Sequence, residues 1–278
     1  MSPPPHPGFP PEWVARILHS AGARRGAGLR VLGISALQGS GKSTLAAQLV
    51  AAAGAAGLSA CALSLDDFYL TRGQRQALAA RVHPLLATRG PPGSHDLALA
   101  LDCLDGLRGG RGCALPRFDK LGDERLPRSA WALAPAGLDL LVLEGWCLGV
   151  PAEDEAALAQ PLNALEREED PDGRWRRWCN QRLGADYPPL WAQVDVLWYL
   201  QPPGFDQVLE WRTQQERQLQ ADQPGRPGMG PAQLARFVQH FERVSRQALR
   251  TLPGIAAHVA RLDRQRRLWP AQEPAQRT

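Results

Sequence analysis

Ala36-Leu-Gln-Gly-Ser-Gly-Lys-Ser43-Thr44 is the stretch on which the reading of this chain turns. An apolar run of strand length, Leu29-Arg-Val-Leu-Gly-Ile-Ser35, leads into it. Out of it runs an Ala- and Leu-rich segment, Ser43 to about Ala53, that reads as a helix closed by Gly54 and Gly57. Strand, glycine loop and helix together give G-x-x-x-x-G-K-[ST] with Ala36 in place of the leading glycine. Glycines are required where backbone N–H groups turn inward around phosphate oxygens, and Gly39 and Gly41, flanking Ser40, supply them. The helix N-terminus adds partial positive charge, Lys42 reaches the β- and γ-phosphates, and the Ser43 hydroxyl suits Mg²⁺, with Thr44 closing the loop. As a loop residue Lys42 is expected to be exposed and to support no core.

Further strands follow. Ser59-Ala-Cys-Ala-Leu-Ser-Leu65, Leu138-Asp-Leu-Leu-Val-Leu143 and Val194-Asp-Val-Leu-Trp-Tyr-Leu200 are apolar runs separated by helical segments. Such runs are too apolar for a sheet with one wet face, which predicts an α/β fold with a buried, mainly parallel sheet. Leu234, Phe237, Val238, Phe241, Val244, Ala248, Leu249 and Leu252 recur at helical spacing and predict a helix facing the core. Glu153–Trp178, acidic and then basic, is expected to be an exposed helical insertion.

Composition narrows the class. At 278 residues, with 44% hydrophobic and 22% charged residues, the chain suits one large or two small globular domains. No stretch reaches the ~18 apolar residues of a membrane span, and residues 1–10 lack the basic start and apolar core of a secretory signal. Five cysteines without a C-x-x-C pair point to a reducing cytosol rather than to disulfides or zinc. The net charge of +4 comes from scattered arginines interleaved with 28 acids, which argues against nucleic-acid binding. Of 32 basic residues 30 are arginine, and lysine stands only at positions 42 and 120. Arginine replaces a generic surface lysine easily but not a point-charge phosphate ligand, so both lysines are candidate site residues.

Two carboxylate groups stand at strand ends. Leu138–Leu143 runs into Glu144-Gly145-Trp146, which suits a Mg²⁺-directed or water-positioning element, a helix cap being the alternative. Ser59–Leu65 runs into Asp66-Asp67-Phe68-Tyr69. Strand C-termini of a parallel sheet open onto the ligand crevice, so one of these aspartates can take a proton from a substrate hydroxyl and orient Mg²⁺ through water. Asp66 is preferred, because Asp67 is placed to cap the following turn.

The loop at 36–44, Asp66-Asp-Phe-Tyr69, Pro91-Pro-Gly-Ser-His-Asp96, Pro116-Arg-Phe-Asp-Lys120, Glu144-Gly-Trp146 and Glu210-Trp-Arg-Thr-Gln-Gln-Glu216 together resemble the plant-type D-glycerate 3-kinases and their fungal and bacterial relatives. That family belongs to the wider group of uridine kinase, phosphoribulokinase and pantothenate kinase. The resemblance runs from about residue 30 to about 265 and departs at Ala36 and in a short Arg117–Arg125 segment. It implies a P-loop NTPase three-layer αβα sandwich with a helical lid, ATP with Mg²⁺ as donor, and phosphorylation of a small hydroxyl-bearing acid; the cytoplasmic location expected for it comes from the cysteines above. A nucleoside or sugar kinase, or an accessory ATPase with no small-molecule acceptor, are the alternatives.

Within that frame Tyr69 and Asp67 belong to the acceptor side, and His95 and Asp96 can bond acceptor hydroxyls, although Asp96 can equally cap a helix starting near Leu97. Arg117, Lys120 and Arg125 form a fork for a carboxylate, or else a surface ion-pair network. Arg212 is the candidate lid arginine, the alternative being an i,i+4 pair with Glu216 on an exposed helix. The expected organisation is a leader with a short helix (1–28), a kinase domain (29–265) and a tail (266–278). Within the kinase domain lie a helical insertion at about 151–190 and a lid at about 208–231. The Pro224–Pro231 segment serves as the lid's flexible joint.

Overall fold

The structure, a computed structural model, describes residues 8–222, 225 and 228–269. The first part of the leader (1–7), the end of the tail (270–278) and residues 223, 224, 226 and 227 of the expected joint lie outside the described residues.

In chain order the elements are α1 (Pro11–Ser20), β1 (Arg30–Ala36), α2 (Lys42–Ala55), β2 (Ala60–Ser64), α3 (Arg72–Arg81) and α4 (Leu97–Arg108). Four short strands follow, β3 (Cys113–Leu115), β4 (Phe118–Asp119), β5 (Glu124–Arg125) and β6 (Ala132–Ala134), before β7 (Leu140–Gly145). The chain continues through α5 (Ala164–Glu169), α6 (Arg174–Asp186), α7 (Pro188–Trp191), β8 (Val196–Gln201), α8 (Asp206–Asp222), α9 (Pro231–Ile255) and β9 (His258–Arg261).

The central sheet has five strands in the order β2-β7-β1-β8-β9, all parallel. Helices cover both faces, giving the three-layer α/β arrangement. Alternation along β1 sorts its side chains. Leu32 and Ile34 join α1 and α2 through Ile17, Leu45 and Leu49 on one face. Val31 joins α4 and α9 through Leu104, Phe241 and Leu252 on the other. The helix expected at the end of the leader forms as α1, and Phe9, Trp13, Val14 and Ile17 are buried in the core shared with the sheet.

Register places the site. Ile34 of β1 pairs with Glu144, Ser35 with Gly145, and Ser64 of β2 with Glu144. The loop after β1, the carboxylate ending β7 and the aspartates after β2 therefore open along one sheet edge.

Two features differ from the sequence-based expectation. The 153–178 segment is helical but only partly exposed: Glu166, Asp170 and Arg176 are buried, while Arg167, Glu168, Glu169 and Asp172 face outward. Asp170 pairs with Arg176 at 3.0 Å, and Arg243 of α9 bonds Glu166 at 2.6 and 2.8 Å and Glu153 at 3.2 Å. Alternating acids and bases that read as a solvated surface instead neutralise one another inside. Such buried pairs specify a packing more than they stabilise it. The edge strand β9 is also unanticipated: of His258-Val-Ala-Arg261 only Ala260 is buried, so no apolar run announces it.

Candidate active site

Gly41 precedes α2 in the left-handed region at φ +87°, and Gly39 sits at φ +77°. A Cβ on Gly39 would lie 2.5 Å from the Cβ of Trp211 on α8, so glycine is required there twice over. Ala36 ends β1 fully buried with an ordinary negative φ, which is why the missing leading glycine costs no backbone freedom. Ser40 is buried with its Oγ unpartnered. Lys42 begins α2 and, contrary to the loop-based expectation, is only 8% exposed. Its Nζ lies 3.9 Å from Glu144 Oε2, and Ser43 Oγ donates to Glu144 Oε1 at 2.7 Å. Thr44 follows in the first turn of α2.

Asp66 and Asp67 occupy a tight turn, Leu65–Phe68, which Ser64 caps by accepting the Asp66 N–H. Asp67 is therefore not the cap. Its Oδ1 accepts the Phe118 N–H at 3.1 Å and its Oδ2 accepts from Arg117 Nη1 at 3.2 Å. Asp66 Oδ2 accepts from Lys120 Nζ at 2.6 Å and Oδ1 from the Tyr69 hydroxyl at 2.9 Å. Burial alone would raise its pKa, but Lys120 and Lys42 together hold it well below the usual carboxylate range. Asp66 is thus an ionised carboxylate with a lysine on either side. Tyr69, raised by burial and by Asp66, stays protonated as its donor.

Asp67 behaves oppositely: burial pushes it from 3.8 up to about 6, against the Phe118 N–H and Arg117. The folded state therefore binds more protons than the unfolded chain between about pH 4 and 6, and this residue's contribution to stability falls as pH rises through that window. The loss is up to about 3 kcal/mol above pH 6. Urea unfolding of wild type and Asp67→Asn is expected to show the variant gaining relative stability from pH 4.5 to 7. A gap independent of pH would remove Asp67 as its source.

His95 stacks on Tyr69 with ring centroids 4.6 Å apart. The Tyr187 hydroxyl accepts the Gly93 N–H and shares a hydrogen bond with His95 Nδ1, 2.7 Å away. Burial lowers His95 to about 4, leaving a neutral ring behind Tyr69. Asp96 caps α4 through the Leu99 N–H and accepts from Arg125 Nη1 at 3.0 Å. Arg125 spends its remaining contacts on the Tyr69 carbonyl. The residues expected around an acceptor thus divide into three groups. Asp66, Tyr69 and Lys120 meet beside Lys42; Asp67 pairs with Arg117; Asp96 pairs with Arg125.

Arg212 is buried on α8 rather than exposed. It donates to Gln215 at 2.6 Å, lies 3.7 Å from Glu216 and sits 5.9 Å from the Phe237 ring centre. The i,i+4 pair exists, but on an inward face, with Asp66 and Tyr69 among the groups acting electrostatically on Arg212.

Three contributors escaped the sequence reading. Trp211 packs on Gly39 and donates its indole N–H to the Arg264 carbonyl at 2.9 Å. Arg266, assigned to the tail, donates Nε to the Gly39 carbonyl at 2.6 Å and lies 5.1 Å from the Trp211 ring centre. An open cleft of about 440 Å³ is lined by Arg89, Lys120, Asp123, Gln233, Arg236 and Phe237 among others. Trp211 stood inside a quoted motif, but nothing local to it pointed to Gly39.

The oxygen donors suit Mg²⁺ with a nucleotide. Glu144 is buried with Oε2 lacking a hydrogen bond, beside a hydroxyl at a helix start and a loop whose Gly39 and Gly41 both hold positive φ. Among the described residues no group of three or more His, Cys, Asp or Glu forms a metal cage. Mg²⁺ shared with phosphates needs only one or two carboxylates.

No family model matches the chain. It is 34% identical over 227 residues to the uncharacterized kinase mug58 of Schizosaccharomyces pombe, covering 76% of this chain and 78% of that protein. It is 30% identical over 238 residues to the chloroplastic D-glycerate 3-kinase of Arabidopsis thaliana, covering 80% of this chain but 48% of the plant protein, about half its length. Among solved structures, D-glycerate 3-kinase from Cryptococcus neoformans superposes with a TM-score of 0.73 at 24% identity, covering 93% of this chain and 95% of the other, which shows the shared fold. The fold and the kinase relatives make this a P-loop kinase, a phosphotransferase with an alcohol group as acceptor. Within that class the chain belongs to one family with the kinase mug58, and it is similar to the plant D-glycerate 3-kinase. No helix among the described residues is long and apolar enough to cross a membrane.

Proposed function

We propose that the chain transfers the γ-phosphoryl group of ATP to a hydroxyl of D-glycerate. The observation that carries this is Asp66, ionised between Lys42 of the phosphate loop and Lys120 of the adjoining cleft. The relatives named D-glycerate 3-kinase support the choice of acceptor.

Each residue then has a task. The amides around Gly39, Ser40 and Gly41 and the Lys42 ammonium receive the donor phosphates; Ser43, with Thr44 behind it, Glu144 and Asp66 would hold Mg²⁺. Bound Mg²⁺ supplies charge neutralisation on the β- and γ-oxygens. Asp66 orients the acceptor hydroxyl and takes its proton as the new O–P bond forms. A strongly ionised aspartate is a weak base, but phosphoryl transfer asks more of position than of basicity. Tyr69, backed by His95, and Lys120 keep Asp66 aimed. Asp67 with Arg117 and Asp96 with Arg125 hold the neighbouring acceptor wall in place.

Arg212 meets developing charge on the transferring group when α8 closes. Arg212→Ala is expected to lower turnover at least about tenfold, 1.4 kcal/mol, with ATP affinity little changed. An unchanged rate at saturating MgATP would leave Arg212 only its helix pair with Glu216.

The assignment is tested by acceptor-dependent ADP release with D-glycerate, uridine, pantothenate and ribulose 5-phosphate in parallel. Turnover on D-glycerate alone is the expected result. Turnover on uridine or on a sugar phosphate instead would overturn it in favour of a nucleoside or sugar kinase. ADP release that needs no acceptor would point to an accessory ATPase.

A further inference from the structure

The cleft beside Asp66 carries an unbalanced positive charge with an identifiable outlet. Asp123, in the left-handed region at φ +52°, accepts from Arg75 at 2.6 Å and from Arg89 Nη1 at 2.5 Å, with Arg72 Nε at 3.9 Å. Glu124 is the other acid there, bonded to the Arg72 backbone N–H and acting on Arg75. Three guanidinium groups against two carboxylates leave one positive charge over. The other charged groups lining the cleft are matched one to one, Lys120 with Asp66, Arg236 with Glu169 and Glu216 with Arg212.

Arg89 is where that surplus faces the cleft. Arg75 is fully buried and gives Nε, Nη1 and Nη2 to protein oxygens, while the Arg72 side chain is more than half exposed. Arg89 lies between the Phe118 and Phe237 rings, 5.6 and 5.3 Å from their centres, and its side chain is only 11% exposed. Nη1 goes to Asp123 and Nη2 to the Lys120 carbonyl at 3.0 Å, so among the described residues three of its five N–H donors have no partner. A desolvated, rigidly held guanidinium with spare donors is a site for a planar two-oxygen anion. Lys120 ties this site to the chemistry, since its carbonyl holds Arg89 while its ammonium holds Asp66.

We infer that Arg89, aimed by Asp123, binds the carboxylate of the acceptor acid and sets the preference for a hydroxy acid over a neutral polyol. This rests on the reading of the acceptor as a hydroxy acid. The Arg117–Lys120–Arg125 fork expected from sequence then contributes through Lys120 alone, because Arg117 and Arg125 are engaged by Asp67 and Asp96.

The test begins with binding, independent of turnover. D-Lactate keeps the carboxylate and the adjacent hydroxyl of D-glycerate but lacks the 3-hydroxyl; 1,2-propanediol lacks the carboxylate as well. Calorimetric titration of the wild-type protein is expected to detect D-lactate and not the diol, and Arg89→Met to lose D-lactate binding by about 10–100-fold. Arg89→Lys, which keeps the charge without the fork, is expected to fall between them and serves if Arg89→Met does not fold. In steady-state kinetics Arg89→Met is expected to raise the KM for D-glycerate by a similar factor, with the KM for ATP within about twofold of wild type. Equal affinity of the wild-type protein for lactate and diol, no binding of lactate, or lactate binding indifferent to residue 89 would each overturn the inference. Failure of the wild-type protein to phosphorylate D-glycerate is a separate result that overturns the function proposed above, and the lactate comparison still decides the role of Arg89.

Discussion

Lys42→Ala is expected to lower phosphoryl transfer by at least about 10²–10³-fold, the loss of one preorganised cation from the transferring group. The structure changes what else the substitution does. Lys42 is not an exposed loop residue: its Nζ approaches a buried glutamate at 3.9 Å, so removing it leaves Glu144 with only the Ser43 hydroxyl. A modest loss of stability therefore accompanies the loss of activity, and Lys42→Met, which keeps the aliphatic volume, is the better comparison. Single-turnover assays on both folded variants measure the effect. Unaltered transfer in either would overturn the phosphate-loop assignment.

Asp66→Asn is expected to reduce turnover by about 10²–10⁴-fold, the range for a lost general base, with a smaller change in ATP affinity. Asparagine keeps an oxygen for Lys120 Nζ and the Tyr69 hydroxyl, so the fold around the site should persist. Asp67→Asn provides the contrast. That side chain is hydrogen-bonded to the Phe118 N–H and Arg117, and its substitution is expected to cost less than about tenfold. Should Asp67→Asn prove the more damaging change, the two aspartates exchange roles.

The loop at 36–44 was legible because everything that makes it work is contiguous: a strand, two glycines whose conformation no other residue adopts readily, and the helix start. Glu144 and Asp66 were legible for a related reason. Each ends an apolar strand, and parallel strands share one edge for their C-termini, so their convergence follows from class alone. What could not be read is whatever depends on distant partners. The Asp96–Arg125 bond looked like two free ligands because neither sequence position discloses the other. The block from Glu166 to Arg177 read as surface because its neutralising geometry and Arg243 lie in three dimensions. Arg89 passed as one arginine among thirty. Its significance comes from two aromatic rings and a shared aspartate that only the folded cleft assembles.

The placement of the two lysines has a consequence for covalent chemistry. Every ε-amine in these 278 residues belongs to one site, with Asp66 feeling both. An amine-directed acylating or aldehyde reagent entering that site has no other lysine in the chain to spend itself on. The side-chain exposures, 36% for Lys120 and 10% for Lys42, set the order of attack: the cleft residue first, the phosphate-loop residue only after rearrangement. Random coupling through lysine, usually a gentle way to tether or tag a protein, would here be aimed at the active centre proposed above.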